Sequence, residues 1–350
     1  HSVFSGKYMS NINISNNTFN NIAGYEILSS AFLNVNINNN VINNCGSGIY
    51  YKTINPKNSD GSRPNTYTCQ GKSYAPTIDT ASSICGNTIT VVDTADTSSK
   101  QFPYGIRLYG ENLTANDGIV LAGDYSAQNV NVSSNNITIS RGANAIWLVG
   151  TKNINVSQNT VLFNNSAYST KDNVFGLRIE NSTNATINAN TINANNIPYV
   201  QNVIILDKSK GVNIAGNSLT GAKKHGINLT SSSASISANT ISGNKENGIF
   251  CYKNSTMTTN KNRITGNKKH GIFVNECKGK SKINRDTIQS NKQCGIAVQK
   301  GNNVTINSAK ISKSGKNGIY IFKKSKVTIN KCTVSNNKKD GIYSTLSSTT

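Results

Sequence analysis

The sequence is poor in acidic residues, in proline and in aromatic side chains. Its 350 residues include 15 Asp and Glu against 36 Lys and Arg, with 5 Pro and 1 Trp. No apolar run approaches the roughly 20 residues of a transmembrane helix, so we expect no membrane insertion. Heptads of Ala, Leu, Glu and Lys are absent, and the chain instead carries 58 Asn and 28 Gly. Since Asn and Gly are poor helix formers, a helical bundle is excluded.

The dipeptide Gly-Ile recurs at steps of 22 to 24 residues in the second half of the chain, beginning at Gly226, Gly248, Gly271, Gly295, Gly318 and Gly341. Less even copies lie upstream at Gly24, Gly48, Gly105, Ala145, Gly176 and Val203. Within each unit, apolar and polar residues alternate over three to five positions, as in a strand with one buried face. We therefore predict an all-β protein, a single parallel β-helix of about twelve coils of 22–24 residues.

One Asn occurs in each unit, nine residues before the Gly in the regular copies. It is found at Asn17, Asn40, Asn87, Asn135, Asn159, Asn190, Asn217, Asn239 and Asn262. Asn at one turn of every coil can stack, with each amide bonding the next, and it tolerates the left-handed conformation of tight turns. The last coils carry Asp286, Ala309 and Cys332 instead, where we expect this Asn ladder to break.

These units resemble the repeats of the right-handed parallel β-helix (pectate-lyase-like) superfamily, which includes pectate lyases, polygalacturonases and polyuronate C5-epimerases. The resemblance covers nearly the whole chain and implies a right-handed helix and a polysaccharide ligand. Lys224-His225-Gly226 and Lys269-His270-Gly271 are the nearest counterparts of the polygalacturonase Gly-His-Gly. The paired aspartates of those enzymes and the Asp-Pro-His-Asp signature of the epimerases are missing, so no catalytic residue is carried over.

The excess positive charge lies almost entirely in one part of the chain. Residues 1–200 carry 11 Lys and Arg against 10 Asp and Glu, whereas residues 201–350 carry 25 against 5. We therefore describe one β-helix over 1–350 with a near-neutral, loop-decorated part (1–200) and a regular, basic part (201–350). Lysines recur just before the Gly, among them Lys224, Lys245 and Lys269, and a second set follows the strand. Stacked coils turn each set into a basic stripe that an anionic polymer would neutralise; a solvated, solubilising surface is the alternative.

The second and fourth residues after each Gly are predicted to point outward from the Gly-Ile strands. Aromatic residues on an exposed sheet suit stacking with sugar rings, although a covering loop would explain them equally well. The predicted polysaccharide-binding residues are Tyr50, Trp147, Asn228, Phe250, Tyr252 and Phe273, together with Lys224, Lys245 and Lys269.

Long insertions occur only in coils two to five, and long loops on a rigid scaffold commonly carry function. They would wall a cluster whose candidate catalytic residues are Arg107, Tyr109, Arg178, Glu180, Asp207 and His225. The arginines could hold a uronate carboxylate, and a base (Tyr109, His225 or a lysine) could remove the acidified C5 proton. Glu180 and Asp207 occupy the same position in successive coils, where carboxylates about 5 Å apart suit a retaining glycosidase or a Ca²⁺ site. An ordinary surface ion-pair ladder is the alternative.

Three hypotheses follow for a secreted or cell-surface protein. The first is an enzyme (lyase, epimerase or hydrolase) acting on an anionic polysaccharide, and the second is a non-catalytic adhesin or wall-binding stalk. The third is a structural spacer. Nucleic acid is disfavoured because no nucleic-acid motif occurs. Among the seven cysteines, Cys69 and Cys85 bracket an insertion and are the one pair for which the sequence makes a disulfide plausible, and the sequence leaves open whether it forms. No capping unit is evident at either end, so we expect a fragment of a longer protein.

Overall fold

The computed structural model describes residues 4–7, 10–30, 33–52, 67–69, 72–74, 81–92, 103–110, 127–164, 174–277, 279–300, 303–345 and 348–349. All regular structure in these ranges is β, and no helix of the described chain is long and apolar enough to cross a membrane. The chain divides into two compact units. Unit 1 comprises 1–168 and 177–186, and unit 2 comprises 169–176 and 187–350.

Unit 1 is built from short strands separated by tight polar turns. Its strands are β1 (Phe4–Lys7), β2 (Ser10–Ser15), β3 (Thr18–Asn20), β4 (Tyr25–Ser30), β5 (Leu33–Asn38), β6 (Val41–Cys45), β7 (Ser47–Lys52), β8 (Tyr67–Cys69), β9 (Lys72–Tyr74), β10 (Ser83–Cys85), β11 (Thr88–Val91), β12 (Tyr104–Tyr109), β13 (Ala127–Gln128), β14 (Asn131–Ser133), β15 (Asn136–Ile139), β16 (Asn144–Val149), β17 (Thr151–Lys152), β18 (Asn155–Ser157) and β19 (Thr160–Phe163). Strands β20 (Val174–Glu180) and β21 (Thr186–Asn188) contribute residues to both units.

Unit 2 repeats one pattern of three strands per coil with few interruptions. Its remaining strands are β22 (Thr191–Asn193), β23 (Val200–Asp207), β24 (Val212–Ala215), β25 (Ser218–Thr220), β26 (His225–Thr230), β27 (Ser233–Ser237), β28 (Thr240–Ser242), β29 (Ile249–Tyr252), β30 (Thr256–Asn260), β31 (Arg263–Thr265), β32 (Ile272–Asn275), β33 (Ser281–Asn284), β34 (Thr287–Gln289), β35 (Ile296–Gln299), β36 (Val304–Asn307), β37 (Lys310–Ser312), β38 (Ile319–Phe322), β39 (Lys326–Asn330), β40 (Thr333–Ser335), β41 (Ile342–Thr345) and β42 (Ser348–Thr349).

Within each unit, strands from successive coils pair in parallel and form three sheets. Sheet A contains the Gly-Ile strands: β4, β7, β12 and β16 in unit 1, and β23, β26, β29, β32, β35, β38 and β41 in unit 2. Sheets B and C follow it around each coil. Strands β8 and β9 form an antiparallel hairpin in an insertion of unit 1. The two units hold about eleven coils, close to the predicted twelve, and the all-β parallel β-helix is confirmed.

The core is a set of stacked aliphatic columns. One column of sheet A in unit 2 contains Ile227, Ile249, Ile272, Ile296 and Ile319, all fully buried, and the parallel register places each above the next. Cys251 occupies the adjacent inward column and is buried as predicted. Because apolar area is removed from water in every coil, the columns stabilise the solenoid along its length.

The Asn ladder forms in both units. Asn40 Nδ2 donates to Asn87 Oδ1 at 3.0 Å, and Asn239 Nδ2 donates to Asn262 Oδ1 at 2.9 Å. The expected break at Asp286 is wrong, because Asn262 donates to Asp286 Oδ1 through its backbone N–H (2.7 Å) and its Nδ2 (2.8 Å). A carboxylate accepts the same bonds as an amide oxygen, so the ladder extends one coil further than the sequence predicted.

Three further ladders were missed by the sequence analysis. Buried serines accept backbone N–H bonds after sheet A, as in Ser209 to Ser232 and Ser232 to Ser255. A second Asn ladder follows sheet C and consists of Asn244, Asn267 and Asn291. A mixed column precedes the Gly and contains Asn202, His225, Asn247, His270, Cys294, Asn317 and Asp340. These side chains satisfy turn N–H groups that strand pairing leaves unbonded.

The predicted Cys69–Cys85 disulfide stays a prediction, since the side chain of Cys69 lies outside the described part of the chain. Cys85 Sγ lies 3.1 Å from Ser133 Oγ.

Candidate functional site

The outward face of sheet A in unit 1 carries a stack of cations and aromatic rings. The register aligns Tyr50, Arg107, Trp147 and Arg178 in one row across four strands. The Arg107 guanidinium carbon lies 5.2 Å from the centre of the Tyr50 ring and 4.1 Å from that of Trp147. Arg178 lies 4.8 Å from the Trp147 ring. Four of the predicted site residues are therefore brought together, alternating ring and cation.

Trp147 is only 6% exposed, although its position is outward. The guanidinium groups of both neighbouring arginines lie within cation–π distance of its ring. Its indole Nε1 donates to Glu180 Oε2 at 2.9 Å. The ring is thus engaged by protein groups rather than presented as an open stacking platform, and its predicted role in binding sugar stays a prediction.

Glu180 links Arg178 and Trp147 of this row. Its Oε1 accepts bonds from Arg178 Nε at 2.8 Å and from Arg178 Nη2. Lys52 and Arg107 lie 5.5 and 5.2 Å from the ring centre of Tyr109. The cluster therefore contains the predicted Arg107, Tyr109, Arg178 and Glu180, with the Glu180 carboxylate already neutralised by an arginine.

The polar groups of this cluster mostly form hydrogen bonds and ion pairs with one another. The side chains of Arg178 and Glu180 are 24% and 17% exposed. The Nε of Arg107 is buried without a hydrogen-bond partner among the described residues. A buried N–H group without a hydrogen bond lowers the stability of the folded protein. The Nε–H of Arg107 is therefore a group that a bound anion could satisfy. Catalysis by the cluster stays a prediction.

The predicted carboxylate pair falls in different units, with Glu180 in unit 1 and Asp207 in unit 2. Asp207 ends β23, where it pairs in register with Thr230 of the next strand. The described residues contain no group of three His, Cys, Asp or Glu that could hold a metal ion. The Ca²⁺ site and the glycosidase pair therefore stay predictions.

His225 belongs to the mixed column that precedes the Gly residues. It is 5% exposed, and its Nδ1 accepts the backbone N–H of Asn247 at 3.3 Å. Burial, reinforced by the positive charges of Lys269 and Lys224, lowers its pKa from 6.5 to about 3. The imidazole is therefore neutral at physiological pH and occupied by a structural bond. A general base works best with a pKa near the operating pH. These features fit a structural role, and the predicted catalytic role of His225 stays a prediction.

Sheet A of unit 2 carries an interrupted aromatic row. Phe250 stacks on Phe273 of the next coil, with ring centres 5.3 Å apart, and on Tyr252 of its own strand at the same distance. Asn228 and Phe273 flank Phe250 in register. All of these predicted residues are half-buried on the outward face. The row stops at Ala297, which is fully buried, and resumes at Tyr320.

A groove of about 470 Å³ opens where the row resumes. Tyr320 stacks on Phe322 at 4.5 Å and tilts against Tyr343 of the next coil at 5.6 Å. The lining residues, which combine aromatic rings, amides, cations and one carboxylate, are His270, Gln293, Cys294, Lys316, Asn317, Tyr320, Phe322, Lys339, Asp340 and Tyr343. Flat aromatic rings therefore lie beside polar and charged groups in this groove.

Two rows of side chains flank this face at the turn before sheet A. The backbone bonds between coils align Lys224, Glu246, Lys269, Gln293, Lys316 and Lys339 in one row. A second row contains Lys245, Lys268 and Lys292. The positive charge of Lys292 is the main cause that lowers the pKa of the exposed Lys268 side chain, and the charge of Lys245 adds to it. The predicted stripe is thus present, with Glu246 and Gln293 interrupting the first row.

The groove was not singled out by the sequence analysis, although a usable signal existed. Tyr320 and Tyr343 hold the same outward position in adjacent coils, and Lys316 and Lys339 hold the same turn position before them. Aromatic and basic residues repeated together at one coil period would have indicated this place. The same register places Ala297 two residues after Gly295, so the gap in the aromatic row is also visible in the sequence.

The comparisons with known proteins concern the fold. The sequence matches the family described as right handed beta helix region over residues 117–284 and 270–350. A search of curated proteins finds no significant match. The structure is similar to the A-module of the mannuronan C-5 epimerase AlgE6 of Azotobacter vinelandii (TM-score 0.56, 14% identity, 75% of this chain and 71% of that chain). It is also similar to the periplasmic alginate epimerase AlgG (TM-score 0.51, 14% identity, 92% and 74%). Since the family match covers more than half of the chain, the protein belongs to the right-handed β-helix family.

Proposed function

We propose that unit 2 binds an acidic polysaccharide along the outward face of sheet A, with the groove at Tyr320 and Tyr343 as the main contact. The observation that carries this proposal is the meeting of the aromatic row and the lysine row in one groove. Aromatic rings contact the apolar faces of sugar rings, and lysines attract their carboxylate or sulfate groups.

The charge distribution supports an acidic ligand rather than a neutral one. Lys316 and Lys339 border the groove, while the carboxylate of Asp340 accepts a bond from Asn317 at 2.8 Å. Ion pairs in the described part of unit 2 include Lys269 with Glu246 and Lys300 with Glu276, and 25 basic residues face only 5 acidic ones in 201–350. A polyanion would relieve this repulsion and release its own counterions.

The structural neighbours agree with this ligand class without defining it. The two similar structures are by name epimerases of mannuronan and alginate. At 14% identity their activity does not transfer to this chain, so we limit the proposal to binding. A location outside the cytoplasm, where such polymers occur, is part of the same proposal.

The experiment measures retention of the protein on a panel of polyuronates, glycosaminoglycans and one neutral glucan between about 50 and 200 mM salt. We expect salt-sensitive binding to an acidic polymer. The double variant K316Q/K339Q should weaken it, and Y320A should weaken it about tenfold, the scale of a central contact residue. The control K282Q/K310Q removes the same charge from exposed positions on sheets B and C and should leave binding unchanged.

Equal retention on the neutral glucan would contradict an acidic ligand. Equal loss in K316Q/K339Q and K282Q/K310Q would contradict the groove as the site. Processing of the polymer is tested on the same panel by the ultraviolet absorbance of unsaturated products for a lyase, and by proton exchange at C5 for an epimerase. R178Q and E180Q would be the next variants if either signal appeared.

A further inference from the structure

Two buried cysteines of unit 2 lie against each other. Cys251 Sγ and Cys277 Sγ are 2.9 Å apart, closer than two non-bonded sulfur atoms normally approach. Both side chains are almost completely buried, at 0% and 1% exposure. Cys251 stands in β29, and Cys277 stands in the turn after β32 of the next coil. A cysteine pair in this arrangement needs little movement to become a disulfide.

The positions of the two cysteines in the repeat explain how they meet. Cys251 occupies an inward core column in which the neighbouring coils have Leu229 and Val274. Cys277 follows the strand where earlier coils have the buried ladder serines Ser232 and Ser255. Cys251 therefore belongs to the apolar column, and Cys277 belongs to the polar column in the next coil. The two cysteines meet because these columns lie side by side.

We propose that Cys251 and Cys277 form a disulfide that links two successive coils when the protein folds in an oxidising compartment. The step is thiol–disulfide exchange with a small-molecule disulfide. One thiolate attacks it and releases one thiol, and the second cysteine displaces the other thiol as the Cys–Cys bond forms. The two cysteines are oxidised, and the small-molecule disulfide is reduced to two thiols that carry the two protons.

The burial of Cys251 and Cys277 indicates at which stage of folding their disulfide forms. The hydrogen bond between the two sulfur atoms, followed by burial, raises the pKa of the Cys251 thiol well above its ordinary value. Since thiolate is the reactive species, the folded, buried pair reacts slowly in either direction. The bond therefore forms while the coil is still open and is afterwards protected from reductant.

The test is refolding of the full chain from denaturant with oxidised glutathione, followed by alkylation, trypsin digestion and mass spectrometry. Cleavage at Lys245 and Lys253, and at Lys269 and Lys278, gives two peptides with one cysteine each. We expect these two peptides to appear linked. We also expect the oxidised protein to unfold roughly 5 °C or more above the reduced protein.

The repeat itself supplies conservative variants. C251V copies Val274 of the same column, and C277S copies the ladder serines, so both should fold. Each should abolish the linked peptide and the difference in unfolding temperature, whereas C294S, at another buried cysteine, should change neither. Free alkylated Cys251 and Cys277 in protein that has regained its β circular dichroism spectrum would overturn the proposal. Linkage of either cysteine to a third one would overturn it as well.

Discussion

Replacing Asp286 by Asn tests how a buried carboxylate at the position of the Asn ladder affects the stability of the fold. Asp286 is fully buried at the ladder position, where Asn262 donates two bonds to Oδ1 and Thr259 Oγ1 donates to Oδ2. Burial outweighs these bonds and raises the pKa of the carboxyl from 3.8 to about 6. The amide of Asn keeps the accepting oxygen and removes the charge.

The sign of the pH dependence follows from that shift. Below pH 3.8 the carboxyl is protonated in both states and contributes nothing. Between 3.8 and about 6 it ionises in the unfolded chain but stays protonated in the folded one, so stability falls as pH rises. Above 6 the ionised group costs up to about 3 kcal/mol. D286N should therefore be more stable than wild type at neutral pH, by at most this amount, and similar to it below 3.8.

The assay is the urea midpoint of unfolding for wild type and D286N at a series of pH values, compared as a difference so that other carboxylates cancel. D340N is the matched control, because Asp340 is exposed and the same charge is removed. A D286N curve that runs parallel to wild type across this range would refute the reasoning. So would a loss of stability in D286N at neutral pH, because it would mean that the charged oxygens are required.

Two further predictions concern the columns at the turn before sheet A. Burial lowers the pKa of His225 to about 3 and of His270 to about 4, so stability should be lost as pH falls below 6.5. H225N/H270N copies Asn247 of the same column and should flatten this acid loss in a pH series of thermal melts; an unchanged acid loss would contradict the structural role. G248A should destabilise unit 2 by about 1–3 kcal/mol in urea unfolding, because its Cβ would meet the carbonyl oxygen of Gly271 at 2.7 Å and Ile264. A neutral G248A would mean that neighbouring coils separate easily.

Sequence periodicity predicted the features that repeat at the same position of every coil. The inward Ile columns follow from alternation, and the Asn ladder follows from one Asn recurring in each coil. The left-handed conformation expected of the ladder Asn belongs instead to the residue before it, as in Asn16 and Asn39, with φ of 61° and 56°. The burial of Trp147 could not be predicted, because it depends on arginines of the two adjacent coils closing over it. The ladder bond of Asp286, in contrast, could be predicted, because a carboxylate oxygen accepts the same bonds as an amide oxygen.

The cationic side chains of the two units differ in the partners that they already have, and this difference bears on where a polyanion would bind. In unit 1 the cations of the cluster already have partners, since Arg178 binds Glu180 and Arg107 lies between the rings of Tyr50 and Trp147. An anion entering there would compete with Glu180 for Arg178, and the unused N–H group that it would find is the buried Nε of Arg107. In unit 2 the like charges of Lys245, Lys268 and Lys292 follow one another, and the charge of Lys292 lowers the pKa of Lys268, so an anion bound beside them would reduce this repulsion. If the ligand is the proposed acidic polysaccharide, we therefore expect its first contact at the lysine rows of unit 2, whether or not any chemistry follows in unit 1.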